Sequence, residues 1–133
     1  MENKTIRYRI EKEGDIIQAV VRARRLSEEH GFRVVVANMI ATSVSELARN
    51  ILKYADSGEI RLRVVAKGMR RGIEVVAEDR GPGISNPDEA LKDHFSSSGT
   101  LGLGLSGVKR MMDEFQLESA PQQGTRVTVR KWL

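Results

Sequence analysis

Apolar and polar positions alternate with a period of two over Thr5 to Glu11, where Ile6, Tyr8 and Ile10 oppose Arg7, Arg9 and Glu11. That is the pattern of a strand with one face on a core. The period then becomes helical. Gly14-Asp15 supplies a start, Ile16, Ile17, Val20, Ala23 and Leu26 form a buried stripe, and His30-Gly31 supplies a stop. Phe32 to Val36 is β-branched enough to read as a strand, yet the helical period from Val36 through Ala55 favours a long helix entered near Val34 or later. In it Ala37, Ile40, Val44, Leu47, Ala48, Ile51 and Ala55 recur on one side, bordered by a polar stripe of Ser43, Glu46, Asn50 and Lys53.

Asp56-Ser57-Gly58 ends this helix, and Glu59 to Ala66 alternates again, with Ile60, Leu62 and Val64 opposite Arg61 and Arg63. A second strand, Ile73 to Asp79, follows the turn Lys67 to Gly72, and the two form a hairpin. Ile73, Val75, Ala77 and Asp79 share a face, which places a carboxylate on the core side at the strand's end, where it needs a donor. The loop that follows is rich in Gly, Pro, Ser and Asn, with a short helix over Asp88 to His94, and Ser85 to Leu101 reads as a lid ordered by a ligand or partner. Gly102 to Gly107 opens a helix with Leu105, Val108, Met111, Met112 and Phe115 on one side. Phe115 to Ser119 and Thr125 to Trp132 are two last strands, with Thr125, Val127 and Val129 inward. Strands and helices in this order predict an α/β protein, a two-layer α/β sandwich whose mainly antiparallel, mixed sheet is covered by helices on one face. The pleat turns Arg7, Arg9, Arg61, Arg63, Arg126 and Arg130 to the other face with Glu74, Glu78 and Trp132, either as a solvated ladder or as a dock for an acidic partner.

At 133 residues the chain is read as one domain, 1–133. It has no Cys and two His, which excludes disulfides, a thiolate nucleophile and a Cys-based zinc site and argues against a His-rich metal site. The N-terminus MENKTIRYRIEKEGD lacks an apolar export segment, and no apolar run is long enough to span a bilayer, so the expectation is a cytoplasmic protein with no membrane partner. The net charge is +4, but 18 acidic residues are interspersed with 22 basic ones, without a basic tail, which argues against nucleic acid.

Glu46 and Asn50 stand one helical turn apart. On this helix alone the stripe reads most simply as a solvated face, although a carboxylate and a carboxamide at this spacing also suit a magnesium–triphosphate. Gly102-x-Gly104-x-x-Gly107 matches a dinucleotide fingerprint, but a Ser-rich loop precedes it and no parallel βαβ unit follows. A Walker A sequence is absent, so any nucleotide site is of another kind. Asp79-Arg80-Gly81-Pro82-Gly83 reads equally as a post-strand turn or a ligand loop.

Together, Glu46-x-x-x-Asn50, Asp79-x-Gly81-x-Gly83, Gly102-x-Gly104 and Gly124-Thr125 resemble, in order, the four ATP-binding boxes of the GHKL superfamily and its Bergerat ATP-binding fold, over roughly residues 34 to 130. Glu46-Leu47-Ala48-Arg49-Asn50 through Lys53-Tyr54 and Gly102-Leu103-Gly104-Leu105-Ser106 look like histidine-kinase catalytic domains. No dimerising helix with a phospho-acceptor His precedes them, and the loop holds one Phe, Phe95. The chain is thus more similar to the anti-sigma-factor serine/threonine kinases of bacterial partner-switching systems, and within them to the stressosome switch kinases. That resemblance implies ATP and Mg²⁺ as cofactors. Asp79 would accept the adenine amine with Thr125 assisting, and Gly81 and Gly83 would let backbone approach the nucleotide. Gly102 and Gly104 would offer amides to the phosphates, Asn50 would hold Mg²⁺, and Glu46 would be the catalytic base. Lys53, Lys109 and Arg110 are further candidates for phosphate. The implied partners are STAS-domain regulatory proteins, with a downstream effector enzyme and a homodimer left open. The alternative function is a nucleotide-gated protein-binding module without essential catalysis.

Overall fold

The computed structural model describes residues 4–83 and 104–133. Strand β1 (Ile6–Ile10) leads into helix α1 (Glu13–Glu29). The Asp15 carboxylate accepts the backbone N–H groups of Glu11 and Lys12 at 2.9 and 3.0 Å, so the helix begins before Gly14-Asp15 and Asp15 reaches back from its third position. At its end Gly31 takes φ +96°, the Phe32 N–H donates to Ser27 O and the Gly31 N–H to Glu28 O, which is a Schellman stop. Phe32, 5% exposed, then anchors the chain in the core.

Helix α2 (Val34–Ala55) starts at Val34, so the strand reading of Phe32 to Val36 gives way to the helical one. Ala37, Ile40, Val44, Leu47, Ala48 and Ile51 are all buried, and packing of that stripe outweighs the mild helix penalty of the valines at the entry. Strands β2 (Gly58–Lys67) and β3 (Arg70–Asp79) pair through the whole length of both, with a loop of only Gly68-Met69. The expected turn to Gly72 is therefore strand. Helix α3 (Gly104–Met111) is shorter than its apolar period suggested. The Asp113 N–H donates to Arg130 O at 2.9 Å, and β4 (Glu114–Ser119) takes Phe115 into the sheet beside β5 (Thr125–Trp132).

Among the described residues five strands lie in the order β1-β2-β3-β5-β4 and every pairing is antiparallel, so the sheet is antiparallel and not the mixed one expected, each neighbour being reached by a reversal of the chain. Helices α1, α2 and α3 cover one face, where Ile10, Ile60, Leu62, Ile73, Val75 and Val129 meet Ile16, Ile40, Val44, Leu47 and Val108 in one core. The expected two-layer α/β sandwich is the architecture observed. Among the described residues no helix is long and apolar enough to cross a membrane. The helix expected over Asp88 to His94, the lid Ser85 to Leu101, and Gly102 lie outside the described residues.

Candidate functional site

The end of β3, the start of β5, the second half of α2 and the first turn of α3 converge on one cleft. Its walls are apolar, from Leu47 and Ile51 on α2, Ala77 and Val127 on the sheet and Leu105 on α3, while Asn50, Asp79 and Thr125 put polar atoms into it. A slot of this kind suits a flat, weakly polar ring with a few hydrogen-bonding edges. Among the residues singled out in the sequence, Asn50, Asp79, Gly83, Gly104 and Thr125 line it together.

Asp79 stands opposite Thr125 in the β3–β5 register. Its carboxylate accepts the backbone N–H of Gly81 at 2.8 Å and that of Thr125, which supplies the donors a half-buried acid requires. Burial pushes its pKa up and Glu78 adds to the rise, against the pull of the two amides. An ionised carboxylate has about four acceptor sites, so capacity remains for a ligand donor. The Thr125 hydroxyl lies 3.0 Å from the Ser119 hydroxyl.

Glu46 lies one turn along α2 from Asn50 and is 5% exposed. Burial raises its pKa, opposed by the charge of Arg49 and a hydrogen bond from the Gly104 backbone amide. Its Oε2 is buried with no hydrogen-bond partner among the described residues. A carboxylate oxygen in that state is costly to keep, and functional sites are where such groups persist. The bond to Gly104 also ties α2 to the first turn of α3, and a helix start is the natural seat of an anion.

The glycines after β3 have a packing cause of their own, whatever approaches them from the cleft. A Cβ on Gly81 would come within 2.5 Å of the Ala55 Cβ and 2.9 Å of Tyr54 O, and one on Gly83, where φ is +80°, would run into Ala120 O. Protein packs against protein at both positions, and Gly81 does not line the cleft. Lys53, Lys109 and Arg110 do not line it either; the Lys53 ammonium sits 5.3 Å from the centre of the Tyr54 ring. Tyr54 was not singled out as a site residue, yet it borders the cleft at 40% exposure. Its position four residues beyond Asn50, on the Glu46–Asn50 stripe, was the available signal. The apolar wall carried none, because Leu47, Ile51, Ala77 and Val127 are core residues by period and form the cleft only in three dimensions.

Comparison with known proteins bears on the same residues. The sequence profile described as histidine kinase-, DNA gyrase B-, and HSP90-like ATPase matches residues 35–133. Over 125 residues, 94% of this chain and 94% of the relative, the sequence is 46% identical to the serine/threonine-protein kinase RsbT of Bacillus subtilis. It is 31% identical over 98 residues to an anti-sigma F factor of Clostridium kluyveri, covering 69% of the chain and 68% of the relative. With that of Clostridium novyi it shares 29% over 99 residues, 71% of the chain and 69% of the relative. From the first turn of α2 to the last strand, cleft included, the chain belongs to the histidine kinase-, DNA gyrase B- and HSP90-like ATPase family.

Proposed function

We propose that this chain is a cytoplasmic, ATP-dependent protein serine/threonine kinase of a bacterial partner-switching pathway, which phosphorylates a STAS-domain regulator. The observation that carries this reading is Glu46, a buried carboxylate with an unpartnered oxygen beside the first turn of α3. Adenine and phosphate binding do not require an acid there, whereas a base toward a hydroxyl does.

The residues fit the nucleotide. Asp79 would accept a hydrogen bond from the exocyclic amine of adenine in the apolar slot, with Thr125 assisting through its hydroxyl or a water. The backbone amides of the first turn of α3 would face phosphate oxygens at a helix start. Asn50 would hold Mg²⁺, which supplies charge neutralisation for the phosphates. Among the described residues no three acidic or histidine side chains gather to hold a metal, so phosphate oxygens and water would complete its shell. Glu46 would take the proton of the acceptor hydroxyl as that oxygen bonds to the γ-phosphorus and the bond to the bridging oxygen breaks, with ADP leaving. Phosphoryl transfer needs mostly positioning and electrostatic stabilisation, which this arrangement provides.

Incubation with γ-labelled ATP and purified STAS-domain proteins of the same genome, read by mass spectrometry, should place a phosphate on a Ser or Thr of one of them. Binding without transfer to any of them would favour the nucleotide-gated module instead.

A further inference from the structure

Three valines and a methionine open α2, and their exposure is uneven. Val36 packs against the core, but Val34, Val35 and Met39 stand 63%, 62% and 37% exposed. A helix start favours small polar or acidic residues, and the first turn here has no acidic residue. At about 100° per residue, Val35, Met39, Thr42 and Glu46 fall within roughly 60° of one another around the axis, with Val35 and Met39 each about 20° from Glu46, and Asn50 continues the line. Exposure rises along it from 5% at Glu46 to 37% at Met39 and 62% at Val35, as the stripe emerges from beneath α3.

The order of groups along α2 gives the stripe a direction. Tyr54, Ile51 and Asn50 line the cleft whose other side holds Asp79, and Glu46 comes next toward the N-terminus. A line drawn from the Asp79 end of the cleft past Glu46 therefore continues over Thr42, Met39 and Val35. By helical rise Met39 lies about 10 Å and Val35 about 16 Å beyond Glu46.

We propose that the Val35–Met39 stripe is the docking contact for the acceptor protein, an apolar patch of which seats there and sets its Ser or Thr hydroxyl beside Glu46. This rests on the kinase reading above. A stable protein contact buries about 800 Å² on each side, a disc roughly 16 Å in radius, so a partner centred on Glu46 covers Met39 and meets Val35 at its rim. Apolar contacts without charge suit an occupant that must bind, react and leave, and Met adapts its shape to the surface it meets.

The test is steady-state transfer to the STAS-domain protein that the wild-type chain phosphorylates, comparing Met39→Asp and Val35→Asp with Val34→Asp. Val34 is equally exposed but about 120° away around the helix from Glu46, so it controls for added charge and for folding. Met39→Asp and Val35→Asp should raise the KM for the acceptor at least tenfold, leaving kcat at saturating acceptor and the ATP dissociation constant within twofold. Val34→Asp should change the KM less than threefold. Amide exchange should show residues 34–42 protected when acceptor and a non-hydrolysable ATP analogue are added together. Unchanged KM in the Met39 and Val35 variants, an equal effect of Val34→Asp, weakened ATP binding, or a change in the oligomeric state of the free chain would each overturn the assignment. A wild-type chain that transfers phosphate to no protein hydroxyl would remove the kinase reading, and the docking assignment with it.

Discussion

Burial raises the pKa of Glu46, so the folded chain holds a proton there more tightly than the unfolded chain does. Between the ordinary carboxylate value and the raised folded value, the unfolded state binds fewer protons, and stability falls as pH rises across that window. Above the window the ionised Glu46 is a constant cost. Glu46→Gln removes the charge, so its melting temperature at pH 8 should exceed that of the wild type, with the gap closing as pH falls through the folded pKa. A gap independent of pH would mean that the ionised side chain is not destabilising. Asp79 sets the other end of the cleft, where a hydrogen bond to a charged partner contributes about 1.5–3 kcal/mol. Asp79→Asn should weaken ATP binding about 10- to 100-fold by calorimetry. Alternation alone put Asp79 on the inward face. Its Thr125 amide donor, and the burial of Glu46 beside Gly104, depend on β5 and α3 arriving from distant sequence and were not legible.

Elements were read well where one signal dominated. The His30-Gly31 stop, the α2 period and the extent of β5 match the structure because each rests on local chemistry that packing reinforces. Strand β3 was read short at Arg70 to Gly72 because a glycine and two charges look like turn, while full pairing with β2 holds them extended. Helix α3 was read long because Met112 and Phe115 continue its period, but pairing with β5 claims Phe115 for β4. The glycine loop after β3 was legible as a loop and not as a packing device. Gly81→Ala forces a methyl into the C-terminal turn of α2 and should cost about 1–3 kcal/mol in urea denaturation. Gly14→Ala, in the first turn of α1 with nothing within 4 Å of the added carbon, should instead stabilise by about 0.4–1 kcal/mol. Equal effects of the two would contradict the packing at Gly81.

At the scale of the whole molecule the sheet separates two surfaces. The open face carries the arginines that the pleat placed there, and each of those on the central strands has a glutamate. Arg61 meets Glu59 at 2.8 Å and Glu78 at 2.9 Å, Arg63 and Arg130 both grip Glu74, and Arg126 reaches Glu118 at 3.0 Å. Glu74 is 3% exposed; burial pushes its pKa up, but the bonds from Arg63 and Arg130 outweigh that and hold it low. The exposed pairs, unlike those to the buried Glu74, contribute only about 0.2–1 kcal/mol each, and the ladder balances charge across the sheet and leaves little free positive field for an acidic partner. The cleft opens on the helical side, between α2 and α3. Glu46 is the hinge of the whole account, since it separates a kinase from a nucleotide-gated binder. The most direct measurement pairs nucleotide affinity with phosphate transfer in Glu46→Gln. ATP should bind within about threefold of the wild type while transfer to a STAS-domain acceptor falls about 10²- to 10⁴-fold, the usual contribution of a general base. Transfer at the wild-type rate by Glu46→Gln would contradict it.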